Sequence, residues 1–104
     1  MDEKLLKIIN HYGVKHQLKY FQSEIFELNE AIIEFENDEY TYYPEVEKSH
    51  KKHIAEEIAD VEVMLLQFKE YYHIDGNEIL EIMNNKIDRQ LKRMENEKNG
   101  SNDY

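Results

Sequence analysis

Cysteine is absent from the 104 residues, which excludes disulfides, thiolate metal sites and thiol nucleophiles. Glycine occurs three times and proline once, so tight turns are few and long uninterrupted elements are expected between them. No apolar run approaches the roughly 20 residues needed to span a bilayer. The opening Met1-Asp2-Glu3-Lys4 lacks the basic-then-apolar layout of a secretory leader. A cytoplasmic protein is the expectation. Basic residues are also scarce, 13 against 23 acidic, for a net charge of -10. Such a surface repels nucleic acid and anionic membrane, so neither is expected as a partner. It suits a cation-binding protein.

What the chain does contain is helical periodicity. The first helix is predicted over residues 3–11, with Leu5, Leu6, Ile8 and Ile9, and Gly13 interrupts it. The second is predicted over 15–36 on a seam of Leu18, Phe21, Ile25, Leu28, Ile32 and Phe35, whose steps of three and four cannot form a strand. A connector over 37–47 holds Tyr40, Tyr42, Tyr43 and Pro44. A third helix over 49–72 has its seam at Ile54, Ile58, Val61, Leu65 and Phe68, and its wide apolar face predicts the most buried helix. Asp75 and Glu78 have capping-box spacing before a fourth helix, which carries Leu80, Met83, Ile87, Leu91 and Met94 and ends near residue 95.

The expected fold class is therefore all-α, a four-helix-bundle type, with one domain over 1–95 and a polar tail over 96–104. A chain of this length is near the lower limit for a comfortable core, so self-association into a homo-oligomer is expected.

Two acidic pairs stand out, Glu24/Glu27 and Glu57/Asp60. Acidic pairs three apart are common: random placement gives about five in a chain this acidic, and most are solvated surface. These two differ in register, because both flank their helix seams on the same side. Residues three apart are neighbours on a helix, so two such helices side by side bring four carboxylates together. That cluster calls for a cation, and its hard oxygens suit Mg²⁺ or Mn²⁺. On the fourth helix Lys86, Arg89 and Arg93 form a basic stripe, read either as ion pairing or as a clamp for phosphate oxygens. Acidic cluster and basic stripe together point to a polyphosphate substrate.

Other residues invite weaker readings. Glu47/His50 and Glu70/His73 have the spacing of di-iron ligands, but lie about 35 Å apart by helical rise and cannot share a centre. His53, one turn before Glu57, is read as solvated or ion-paired rather than lining the site. Lys48, Lys51 and Lys52 could reach a phosphate or balance Glu56 and Glu57. Gln17 and Tyr20 share the face of Glu24, and for Tyr20 packing is the expected role.

The segments Glu24-Ile25-Phe26-Glu27-Leu28 and Glu56-Glu57-Ile58-Ala59-Asp60-Val61 resemble the ExxE and ExxD motifs of MazG-like nucleoside triphosphate pyrophosphohydrolases, of the all-alpha NTP pyrophosphatase superfamily. Asn85-Lys86-Ile87-Asp88-Arg89 resembles the later K-x-x-R segment. Tyr12-Gly13-Val14-Lys15-His16-Gln17 looks like the aromatic-Gly stretch before the first motif of short phage and bacterial members. Ser23 departs from the family's additional Glu, and the connector between the motifs is long. The resemblance implies that Glu24, Glu27, Glu57 and Asp60 ligate Mg²⁺, with Glu27 the choice for general base. It implies that Lys86 and Arg89 hold the triphosphate, and that a homodimer or homotetramer hydrolyses a (d)NTP to (d)NMP and pyrophosphate; Arg93, from the basic stripe, and Gln17, from the face it shares with Glu24, are the further candidates for substrate binding. The base and sugar preferred stay open. The competing function is a non-catalytic acidic helical module that binds another protein.

Overall fold

The computed structural model describes residues 2–100, and every regular element in that span is an α-helix: α1 (Asp2–Tyr12), α2 (Val14–Asn37), α3 (Pro44–Tyr71) and α4 (Gly76–Lys98). The chain divides into two compact units, Met1–Tyr72 and His73–Tyr104.

The breaks within the first unit have local causes. Gly13 separates α1 from α2 at φ +89, in the left-handed region that side chains disfavour, while its N–H still closes α1 on the Ile9 carbonyl at 2.8 Å. At the end of α2 the Asp38 carboxylate accepts from the Tyr40 N–H at 2.8 Å, turning the chain. The connector is shorter than expected. Pro44 opens α3 instead of preceding it, because the first helical turn needs no N–H from that position.

Helices α2 and α3 run antiparallel along one another: Gln17 meets Gln67, Phe21 meets Phe68 edge-to-face at 5.5 Å, and Phe35 stacks on His50 at 5.3 Å. His50 also bonds Asp38 at 2.7 Å, tying the connector to α3. Helix α1 packs on both through the buried Leu5 and Ile9.

The seam of α2 differs from the expected one by a rotation of one residue. Gln17, Glu24 and Ala31 are buried, with Phe21, Leu28 and Phe35 partly so, whereas Leu18, Ile25 and Ile32 are exposed. Glu24 is 4% exposed while its neighbours Ile25 and Phe26 are 46% and 63% exposed. The inner seam of α3 likewise passes through Glu57, Val61, Met64 and Phe68, and leaves Ile58 and Leu65 exposed. Contrary to the wide apolar face expected for α3, only Met64 and Gln67 are fully buried on it. An inward glutamate beside an outward isoleucine is costly for folding alone.

In the second unit, Asp75 caps α4 by accepting from the Asn77 N–H at 2.9 Å. The helix continues to Lys98, beyond the expected end. No residue of α4 is buried, and Leu80, Met83, Ile87, Leu91 and Met94 are all exposed. The expected polar tail lies partly within α4, and residues 101–104 lie outside the described residues. No described helix is long and apolar enough to cross a membrane.

Candidate metal centre

The antiparallel α2/α3 pair brings together Glu24, Glu57 and Asp60: one carboxylate oxygen from each lies within 4.8 Å of the others. Glu24 Oε2 and Glu57 Oε2 are both buried and have no hydrogen-bond partner. A buried carboxylate oxygen without a donor is unfavourable, and three like charges at this spacing repel. A hard cation answers both problems, since it supplies charge to the cluster and a partner to each orphaned oxygen. Glu57 turns its other oxygen, Oε1, to His53 Nε2 at 3.4 Å, so His53 is ion-paired at the edge of the cluster.

Glu27 is exposed and lies outside this triplet, one turn along α2 from Glu24. Burial raises the pKa of Glu24. A hydrogen bond from Tyr20 opposes the rise, while the charges of Glu27 and Asp60 and a bond to the Glu27 carboxyl add to it. The same contact raises the Tyr20 phenol, through its hydrogen bond to Glu24 and then the Glu24 charge. Tyr20 is therefore a partner of the cluster, not the packing residue expected from its position; with its side chain half exposed, burial does not hold it there.

A pH dependence follows. A carboxyl whose folded pKa is raised binds its proton more tightly in the folded state, so it contributes stability that is present below its ordinary value of 4.5 and is lost as pH rises through the raised one. Asp38 behaves oppositely: its hydrogen bond from His50 lowers its pKa, and its contribution is lost only below 3.8. Thermal melts with chelator should thus show the metal-free protein losing stability upward from pH 4.5, with Glu24→Gln flattening that slope. Parallel slopes in the two proteins would remove Glu24 as the cause.

Beside the cluster, Asp60 and Tyr20 also line a cavity of about 370 Å³ within the first unit. Its other walls come from Tyr12 and His16, stacked at 5.0 Å, and from Gln17, Met64 and Gln67. Of these, Gln17 and Tyr20 were singled out from sequence; Gln67 was not, although it stands seven residues, two turns, after Asp60 on α3.

Lys86, Arg89 and Arg93 lie exposed on α4. Lys86 and Arg89 line, with Ile82 and Asn85, a recess of about 310 Å³ on that helix. Lys51 is paired with Glu47 at 2.6 Å. His50 is bonded to Asp38 rather than turned toward Glu47 as a co-ligand, and among the described residues neither ExxH pair falls in the metal-competent group. Comparison of the chain with models of protein families, with curated proteins and with solved structures gave no match.

Proposed function

We propose that the protein is a Mg²⁺-dependent nucleoside triphosphate pyrophosphohydrolase of the MazG-like, four-helix type, converting a (d)NTP to (d)NMP and pyrophosphate. The observation that carries the reading is the pair of buried, unpartnered oxygens of Glu24 and Glu57 beside Asp60. An acidic module that only binds another protein has no use for carboxylates turned inward. The seam rotation that buries Glu24 in place of Ile25 supports the same conclusion.

In this reading Glu24, Glu57 and Asp60 hold Mg²⁺, with Mn²⁺ as substitute, and Glu27 stands nearby. Bound Mg²⁺ would neutralise the triphosphate and acidify a water. Glu27, exposed and outside the triplet, would serve as the proton acceptor in this reading. Tyr20 tempers the charge of Glu24, and His53 pairs with the outer oxygen of Glu57. The motif resemblance assigns Lys86 and Arg89, and the basic stripe adds Arg93, as the residues that would contact the phosphates.

The deciding experiment is incubation with Mg²⁺ and a panel of (d)NTPs, separating pyrophosphate from orthophosphate as product. Chelator-sensitive pyrophosphate release is expected; orthophosphate as the sole product, or none, defeats the proposal.

Self-association belongs to the same reading. On α2, Ile25, Phe26, Leu28 and Ile32 form an exposed apolar groove of about 410 Å³. Helix α4 has no buried residue and exposes Leu80, Met83, Ile87, Leu91 and Met94, an apolar stripe that calls for cover. A homodimer or homotetramer at micromolar concentration is expected by sedimentation, and Phe26→Glu should shift it toward monomer. A wild-type protein sedimenting as a compact monomer would overturn this.

A further inference from the structure

The cavity beside the cluster has a chemistry of its own. Tyr12 and His16 present two stacked rings, 5.0 Å apart and 16° from parallel, and Met64 contributes a polarisable apolar surface. Its volume of about 370 Å³ falls within the range of small-molecule sites, roughly 300–1,000 Å³. Its polar end is the amide pair of Gln17 and Gln67, which are 3% and 2% exposed.

The hydrogen bonds of that pair are unequal. Gln17 Nε2 donates to Gln67 Oε1 at 2.9 Å, and Gln17 Oε1 accepts from His16 Nδ1 at 2.8 Å. Both amide oxygens are thus engaged by nitrogen donors. The remaining contacts of the two amide nitrogens run to one thioether, Met64 Sδ, at 4.0 Å from Gln17 and 3.6 Å from Gln67. Sulfur is a weak acceptor, so two buried N–H donors converge on a poor partner. A carbonyl oxygen presented from the cavity, which Gln17, Met64 and Gln67 all line, offers these donors a stronger acceptor than the thioether; a group without an acceptor there does not.

We propose that this cavity binds a nucleobase and that the Gln17–Gln67 pair selects rings bearing a carbonyl oxygen over adenine, the common base that has none. The assignment of the ring to a nucleotide rests on the proposed function, but ring binding itself requires neither metal nor turnover. Asp60 and Tyr20 belong to both cavity and cluster, so a nucleotide seated by its base has its phosphates on the carboxylate side. The stacked rings supply affinity that any base can use, and the amide pair supplies the discrimination.

The test is titration of the purified protein with GMP, UMP and AMP, without metal, followed by amide NMR shifts. GMP and UMP should bind at least about tenfold more tightly than AMP, the difference that one hydrogen bond makes. Gln67→Met should remove that preference by weakening GMP and UMP while leaving AMP unchanged. Tyr12→Ala, at a half-exposed position, should weaken all three and leave Mg²⁺ binding intact. Equal or tighter binding of AMP by the wild type overturns the proposal, as does an equal loss of all three ligands in a folded Gln67→Met. If Gln67→Met does not fold, the wild-type panel and Tyr12→Ala decide. Selective ring binding without pyrophosphate release would sink the enzymatic reading and leave this one standing. Pyrophosphate release that ignores the base and Tyr12→Ala would do the reverse.

Discussion

Glu57→Gln is expected to lower kcat by on the order of a thousandfold, the scale on which removing a group that organises transition-state charge acts, while the protein stays folded. The side chain is largely covered and has one oxygen without a partner, facing Glu24 and Asp60 across less than 4.8 Å. Gln keeps the shape and removes the charge. In the metal-free protein this relieves repulsion among three carboxylates and can offer an N–H donor to the unpartnered oxygen of Glu24. Melting in chelator should therefore rise, by about 4–8 °C for each kcal/mol relieved in a unit of this size. Adding Mg²⁺ should raise the wild-type melting temperature and leave the variant nearly unmoved, because only a protein that binds the ion is stabilised by it. The opposed signs make the result diagnostic: loss of activity with gain of metal-free stability is what a metal ligand gives. A variant that turns over normally, or one that is destabilised with chelator, would falsify the assignment of Glu57 to the metal.

The double variant Lys86→Ala/Arg89→Ala should reduce kcat/KM for a nucleoside triphosphate by roughly a hundredfold or more, with Mg²⁺ affinity unchanged. The two residues line one recess of α4 and neither is buried, so their removal leaves no cavity in a core. A charge-assisted hydrogen bond contributes about 1.5–3 kcal/mol, which is about ten- to a hundredfold per contact. Arg93→Ala should have a smaller effect. Steady-state kinetics of the three variants, with circular dichroism to show that α4 persists, provides the measurement. Unchanged kinetics would make the stripe surface ion pairing and move the search for a phosphate clamp to Lys48 and Lys52, which are exposed on α3.

Much of the helical framework was legible along the chain, because helix ends depend on near neighbours. Gly13 at a left-handed position, Asp75 as an N-cap and the three-four spacing of apolar residues act within a turn or two. The proximity of Glu24 to Glu57 and Asp60 was also legible, since two helices side by side with acidic pairs on matching sides can bring them together, but Glu27, expected in the same cluster, lies outside the triplet. The rotation of α2 was not. That helix is apolar over a wide arc, with Leu18/Ile25/Ile32 and Phe21/Leu28/Phe35 as adjacent stripes, and periodicity defines such an arc without saying which line of it meets a neighbour. Only packing against α3 decided that Gln17, Glu24 and Ala31 turn inward and that Ile25 turns out. The raised pKa of the Tyr20 phenol has the same origin, a buried carboxylate one turn ahead of it. The cavity needed all three helices of the first unit, because its amide pair joins residues fifty apart in sequence. Contacts of that separation leave no local trace in the chain. They exist only once hydrophobic burial has brought α2 and α3 together.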